Sequence, residues 1–231
     1  MNKKILLMVS IIAVAVVSIQ AQGLYKADGK IITGQIGFLS QGQRNTYTYN
    51  DGTADGIKRS RQGAIAVSSM QILPFAGNLP LNFYLSESFT YLFGGSETMN
   101  GVDTGMQNAS GLGVSAIFGV STYLPQFVDN LHIMIGAGYH MDFSYLVWDY
   151  GQYYQGYLIE SIMMDMSLAG LAINILGEYD LSENFAINLG IETSFDFYGL
   201  SLGLSDFASN IDSINSGFGF NFSIMTGVSF K

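Results

Sequence analysis

Residues 217–231 read Gly217-Phe218-Gly219-Phe220-Asn221-Phe222-Ser223-Ile224-Met225-Thr226-Gly227-Val228-Ser229-Phe230-Lys231. In an extended chain, Phe218, Phe220, Phe222, Ile224, Thr226, Val228 and Phe230 share one face. Gly217, Gly219, Asn221, Ser223, Met225, Gly227 and Ser229 share the other, where Met225 is the only large side chain. An apolar face opposite a small, polar face suits a strand that meets lipid on one side and a narrow barrel interior on the other. The alternation stops one residue short of Lys231, so this strand is expected to close a barrel.

The other end of the chain agrees with export. Asn2, Lys3 and Lys4 precede the apolar run Ile5 to Ile19, and Ala21 is a small residue suited to cleavage. That run has the length of a signal peptide and is short for a spanning helix. A leader over 1–21 and one domain over 22–231 are therefore expected. With no Cys the chain has no disulfide, thiolate metal site or Cys nucleophile. The 28 Gly, 14 Tyr, 16 Phe and 3 Pro, with only 12% charged residues, describe a β-protein. In water, so many exposed apolar strands would aggregate; in a membrane they form the lipid-facing band.

Walking the chain gives eight strands, near 30–40, 62–76, 80–94, 111–124, 130–148, 161–180, 185–199 and 217–230. Ile32, Ile36 and Phe38 oppose Thr33 and Gln35 in the first. Leu81, Phe83, Leu85, Phe89, Tyr91 and Phe93 face outward in the third. In the seventh, Phe185, Ile187, Leu189, Ile191, Phe195 and Phe197 oppose Asn188, Gly190, Glu192, Ser194 and Asp196. Between strands, the stretches 77–80, 125–130 and 181–184 are short. The stretches 41–61, 95–110, 149–160 and 201–216 are long and polar. Short and long alternate throughout, as short periplasmic turns and long extracellular loops do in a membrane barrel. Tyr145, Trp148, Tyr150, Tyr153, Tyr154 and Tyr157 gather at the loop end, and Phe75, Phe83, Phe127, Phe185 and Phe230 at the turn end, as two interfacial belts.

Three places break the pattern. Glu87 falls on the lipid face of the third strand, where a β-bulge near Ser86 would turn it inward. Ser69 and Gln71 interrupt the outward set Ile65, Val67, Leu73 and Phe75. The sixth strand must change face between Ala169 and Ile173, so that Asp165 and Ser167 point in while Leu171, Ile173 and Ile175 point out.

On the leader, the eight amphipathic strands, the alternating connections and the aromatic near the C-terminus, the chain resembles the small outer-membrane barrels of the OmpA/OmpX kind and the "porin family" outer-membrane β-barrel proteins. The resemblance implies an all-β, eight-stranded antiparallel up-and-down transmembrane β-barrel in the outer membrane of a Gram-negative-type bacterium. It also implies lipid neighbours and insertion by the barrel-assembly machinery, which reads a terminal aromatic; here Phe230 is penultimate. Such barrels serve structural, adhesive, pore-forming and enzymatic ends, so fold leaves function open.

The charge map narrows the choice. From Gln62 to Phe230 there is no Lys or Arg, against fifteen acidic residues. His140, Asp142, Ser144, Asp165, Glu192 and Asp196 are the inward polar candidates. Buried carboxylates without cations must be hydrated, protonated or paired. Either the interior is partly wet and electronegative, or cations of the first loop fold inward, or the acids lie at the mouth. His140, Asp142 and Ser144 alternate on one strand face, about 7 Å apart, which is awkward for a relay of nucleophile, base and acid. No catalytic residue is assigned. Two His and no Cys argue against a transition-metal site, and no cofactor is implied. Lys58, Arg59 and Arg61 stand where the first loop enters the second strand, either as contacts for lipopolysaccharide phosphates or as a solvated loop end. The acidic balance, with no basic stripe, offers nothing to nucleic acid. The leading expectation is an envelope-structural or surface-interaction role through the loops. A narrow cation-favouring pore and a lipid-modifying enzyme around His140 follow it.

Overall fold

The computed structural model describes residues 24–104, 108–154, 157–203 and 211–231. The expected leader, 1–21, lies outside them. The strands are β1 (Ile31–Tyr49), β2 (Ala54–Pro74), β3 (Asn82–Met99), β4 (Val102–Asp103), β5 (Asn108–Tyr123), β6 (Leu131–Tyr154), β7 (Tyr157–Ser182), β8 (Phe185–Gly203) and β9 (Ile211–Phe230). The two-residue β4 folds back on β3 alone; the other eight are staves. Every stave pairs antiparallel with its neighbours in sequence, and β1 pairs with β9, so the ring closes. Closure leaves no edge, which is how strands satisfy all their backbone groups in lipid. The result is an all-β, eight-stranded antiparallel up-and-down transmembrane barrel.

The alternation read from the sequence fixes the wall. Phe38, Phe83, Phe118, Leu189, Ile224 and Phe230 are among the large apolar side chains left exposed around the outside. Soluble monomers rarely expose so continuous an apolar surface. On the inner face of β9, Asn221, Ser223, Met225 and Ser229 are buried. Short turns and both described termini share one end of the barrel, the turn end. There Phe75 stacks on Phe83 at 3.8 Å and Phe185 meets Phe230 at 5.6 Å, as the belt expected at that end requires. At the other end Tyr145 faces outward and exposed; the aromatic side chains from Trp148 to Tyr157 lie outside the described residues.

The first polar stretch is not a loop. β1 and β2 stay in register from Gln41↔Arg61 out to Thr48↔Ala54, so 41–61 is a tall hairpin. β3 likewise runs to Met99 and turns at Asn100-Gly101 into β4. Both turn residues have positive φ, 50° and 86°, which Asn and Gly tolerate and which suits a two-residue hairpin. The two hairpins are clasped: the Gly56 N–H donates to Asn100 Oδ1 at 2.8 Å, and Asn100 Nδ2 donates to Asp55 Oδ1 at 2.6 Å. Beyond the membrane neither strand face must be greasy, so the apolar alternation disappears while the ladder continues.

The misfits resolve differently from expectation. β3 pairs with β5 without a break from Asn82 to Phe93, so no bulge turns Glu87. Ser86 is buried, and Glu87 stands on the outer wall between Ser69 and Ala116. The bulge lies across the ladder in β2, between Ile65 and Val67. It sends Ile65 inward at 4% exposure and Val67 outward at 55%. The face change of β7 sits a little before its expected place, at Ser167–Gly170. After it, Ala172, Asn174, Leu176 and Glu178 are buried while Ile173 and Ile175 are exposed.

At the turn end the interior is mostly apolar, with the buried Glu178 accepting from the Tyr123 hydroxyl at 2.7 Å. Ile31, Met70, Ile72, Tyr84, Ile117, Tyr123, Met134, Ala172 and Leu176 form one buried cluster. The segment before β1 lies across it. Tyr25 exchanges backbone hydrogen bonds with Tyr123 and stacks on its ring at 5.3 Å. The Ala27 N–H donates to Asn82 Oδ1 at 2.8 Å. His132 joins this closure: Nδ1 lies 2.7 Å from the Tyr25 hydroxyl and Nε2 3.0 Å from Asp180.

Candidate functional site

Above this plug the interior turns polar. His140 of β6 pairs across the ladder with Gly170 of β7, and Gly170 pairs with Asp196 of β8. The three residues lie in one row. Because Gly170 has no side chain, His140 and Asp196 reach each other over it, with Nδ1 2.7 Å from Oδ1. A Cβ on Gly170 would come within 2.1 Å of that Asp196 oxygen. Both residues are buried, at 3% and 7% exposure. The β7 bulge puts a glycine at this point of the row.

Asp142, two residues along β6, faces the same space. Gln41 of β1 reaches across to donate to its Oδ2 at 3.3 Å. Asn221 of β9 donates through Nδ2 to Ser194 Oγ at 2.8 Å, Asp196 Oδ2 at 3.2 Å and Asp142 Oδ2 at 3.4 Å. Glu192, one inward position before Ser194, accepts from Asn174 Nδ2 at 3.2 Å. His140, Asp142 and Asp196 each bring a ligating atom to within 4.8 Å of the others. Beside them lies a cavity of about 40 Å³, bordered by Gln41, His140, Asp142, Ser144, Glu192 and Ser223. It exceeds the space one water needs. Ser144 Oγ and Ser223 Oγ are buried on its wall with no hydrogen-bond partner, as are Gln41 Oε1 and Asn221 Oδ1.

Five of the six inward candidates thus stand inside the barrel: His140, Asp142, Ser144, Glu192 and Asp196. For Asp165 the backbone pairs with Ser144, and its side chain lies outside the described residues. The sequence grouped His140 with Asp142 and Ser144 along one strand. The fold instead joins His140 to Asp196, two staves away. Ser144 is four residues from His140, roughly 14 Å along the strand, and no triad forms between them. Gln41, Gly170 and Asn221 had no sequence signal beyond their parity, because parity gives a face but not a height.

The basic cluster is corrected. Arg59 and Arg61 are buried inside the hairpin end, at 5% and 2% exposure. Arg59 Nε pairs with Glu97 Oε2 at 2.6 Å, and its guanidinium lies over the Tyr47 ring at 5.6 Å. Arg61 Nη2 donates to Gln43 Oε1 at 2.9 Å. Neither can meet a lipopolysaccharide phosphate. They point inward because the hairpin prolongs the barrel wall and the bulge between Ile65 and Val67 switches the parity, so on the hairpin side of it the odd-numbered positions of β2 face the lumen. Lys58 remains outside and exposed, directly opposite the exposed Arg44 of β1. Leu92, Leu146, Ile57 and Tyr47 form a second apolar cluster at this end. At the hairpin tip, burial first and then a hydrogen bond to Asp55 push the Tyr49 hydroxyl up to about 12. Hydrogen bonds from the Thr53 hydroxyl and backbone N–H hold the Asp51 carboxyl below its ordinary value.

No protein-family model matches the chain, and no curated protein sequence matches it. Solved structures do. The outer membrane protease OmpT from Escherichia coli is 8% identical, with a TM-score of 0.49 over 90% of this chain and 98% of that one. Ail, the attachment invasion locus protein of Yersinia pestis, is 11% identical, with a TM-score of 0.37 over 87% and 99%. An outer membrane channel from Pseudomonas putida F1 is 7% identical, with a TM-score of 0.27 over 88% and 97%. At these levels the likeness carries nothing about activity.

Proposed function

We propose that this chain is an integral outer-membrane protein that does not conduct and that acts through its clasped surface hairpins, in an envelope-structural or surface-interaction role. The observation that carries the reading is the plug. Met70, Ile72, Met134 and Leu176 have no exposed surface, and Tyr25 and Ala27 pack over them at the turn end. An eight-stranded barrel is only just wide enough for its own side chains, and here those side chains are apolar and close-packed at one end. The exposed apolar belt outside supports placement in a bilayer, and the closed β-wall supports an outer membrane as that bilayer. The turn end then faces the periplasm.

At the other end the barrel presents ordered hairpins. The Asn100 clasp and the Arg59–Glu97 pair hold the first two together. Lys58 and Arg44, side by side on the outer wall of the first hairpin, are the cations we assign to lipopolysaccharide phosphates in place of Arg59 and Arg61. Phe230, outward and 53% exposed on the closing strand, is the residue we assign to the barrel-assembly machinery. The acidic middle of the lumen is the one feature that favours the narrow cation-favouring pore. Planar-bilayer recording of the refolded barrel decides between the two. Silence from correctly folded protein is expected, and steady cation-selective steps would overturn the proposal. An enzyme built on His140 and Ser144 finds no support in their separation. Unchanged lipid composition on expressing Ser144→Ala beside the parent chain is the expected result.

A further inference from the structure

The middle of the lumen gathers its carboxyls round one imidazole. Asp142, Glu192 and Asp196 face the same interior space, with His140 as the one group among them able to carry positive charge. No Lys or Arg occurs anywhere from Gln62 to Phe230. Carboxylates in a buried space are held by hydrogen bonds, by cations or by metal ions.

The atoms around the cavity point to what these carboxyls can hold. Three donor atoms of the kinds that bind divalent metals, an imidazole nitrogen and two carboxylate oxygens, lie within 4.8 Å of one another. Independently, two hydroxyls buried on the adjoining cavity wall, Ser144 Oγ and Ser223 Oγ, have no partner, although each is only 3% exposed. The other two unpartnered atoms there, Gln41 Oε1 and Asn221 Oδ1, are also oxygens. Buried polar atoms are rarely left without partners. Four unpartnered oxygens on the wall of one small cavity, next to converging carboxylates, make a shell short of a cation and its waters.

We infer that the barrel interior binds one first-row divalent cation between His140, Asp142 and Asp196, with its remaining positions filled by waters held against Ser144 and Ser223. One imidazole with carboxylates suits a first-row ion such as Zn²⁺ or Mn²⁺; an all-oxygen ligand set would suit Ca²⁺ or Mg²⁺. The ion ties β6 to β8 across Gly170, and through Gln41 and Asn221 to β1 and β9. It thereby closes the polar half of the barrel around one centre.

The test is equilibrium dialysis of the refolded, metal-stripped full barrel in detergent micelles against Zn²⁺ and, separately, Mn²⁺ and Ca²⁺. Ions per chain are counted by mass spectrometry, and folding is checked by circular dichroism. One Zn²⁺ or Mn²⁺ per chain is expected, held at least about 10-fold more weakly by His140→Gln and by Asp196→Asn, the range typical for loss of a ligand or its orienting partner. His132→Gln, which removes the other His–Asp pair at the turn end, is expected to bind as the parent does. Should Asp196→Asn fail to fold, the parent count and His140→Gln decide. No bound ion in the parent overturns the inference. So does equal binding by the parent and His140→Gln, which would mark surface counter-ions, and so does a site that takes Ca²⁺ in preference to both first-row ions.

Discussion

At the turn end the lumen holds Met70, Ile72, Met134 and Leu176 with no exposed surface, and Thr33, Gln35 and Asn188 as its polar neighbours. Toward the hairpin end the same inward positions of the same staves hold Gln41, Arg59, Arg61, Glu97, His140, Asp142 and Asp196. The outer wall changes later. It is apolar from Leu73 and Phe83 to Phe38 and Tyr91, and turns polar only on the hairpin, at Arg44 and Lys58. The comparison separates two jobs that one alternating strand performs. The outward face answers only to lipid, and any apolar residue serves. The inward face answers to its neighbours across the lumen, so packing governs one half and pairing the other. Apolar packing tolerates imperfect partners, whereas a buried polar network is costly as soon as one member is left over.

The sharpest way to break this contrast is to remove one member of a pair in the polar half. Arg59 and Glu97 are each 3% exposed in their side chains, so Glu97→Ala leaves a buried guanidinium. A loss of about 3–5 kcal/mol is expected, and the double change Arg59→Met with Glu97→Met should recover much of it. Urea unfolding in micelles reads both. A double variant no more stable than Glu97→Ala alone would mean that the ion pair does not organise this half. In the apolar half, Leu176→Ala should cost about 2–5 kcal/mol by transfer and cavity terms. Its cavity should stay dry, and the barrel should still not conduct. Conductance from that single truncation would show the plug to be a gate.

Gly170→Ala probes the boundary between the two regimes. The added Cβ would meet Asp196 Oδ1 at 2.1 Å, so the carboxylate must swing away from His140. An overpacking cost of about 1–3 kcal/mol is expected. The His140 ring resonances should move more than those of His132, which bonds Tyr25 and Asp180 at the turn end. Equal shifts at both rings would mean that Gly170 matters only for the path of the chain.

How much of this was legible in the sequence follows the same division. The wall was readable because lipid makes a demand that each strand must meet alone: every second residue apolar. Hence the outward faces of β3, β8 and β9, and the inward polar candidates on β6 and β8, stand where alternation put them. The hairpins were misread as loops because water makes no such demand. From Gln41 to Arg61 nothing in the composition distinguishes a ladder from a coil, and Arg59 and Arg61 were placed outside as a consequence. The His140–Asp196 contact was unreadable for another reason. It depends on the register of three staves and on a bulge at Ser167–Gly170 that brings a glycine between them. No local pattern encodes that height.

Glu87 tests whether the outer wall is as indifferent as it looks. It is exposed on the lipid side between Leu85 and Phe89, with Ser69 opposite in β2 and Ala116 in β5. Its unbroken strand cannot turn it in, so it remains a carboxyl in the apolar band. Glu87→Leu should stabilise the barrel, by less than the ~2–4 kcal/mol that an Arg or Lys at mid-membrane costs. A destabilised Glu87→Leu barrel would mean that the carboxyl has a partner in the membrane.

The smallest effect is expected farthest from either interior, at the tip of the first hairpin. Asp51 accepts hydrogen bonds from the Thr53 N–H at 2.9 Å and the Thr53 hydroxyl at 2.6 Å. These favour the ionised form, so the carboxyl titrates below its value in an unfolded chain. The sign follows from linkage. A lowered folded-state pKa contributes stability that is fully present above the unfolded value and fades as pH falls through the folded one. The group is open to water, so this stability belongs to the turn and not to the barrel. Amide exchange at Thr53 should therefore lose protection in acid, and in Asp51→Ala at neutral pH, while protection at Met134 and Leu176 stays as it was. Acid loss of protection at Met134 together with Thr53 would show that the hairpins and the plug open as one unit, and that the two halves of the interior are not energetically separate.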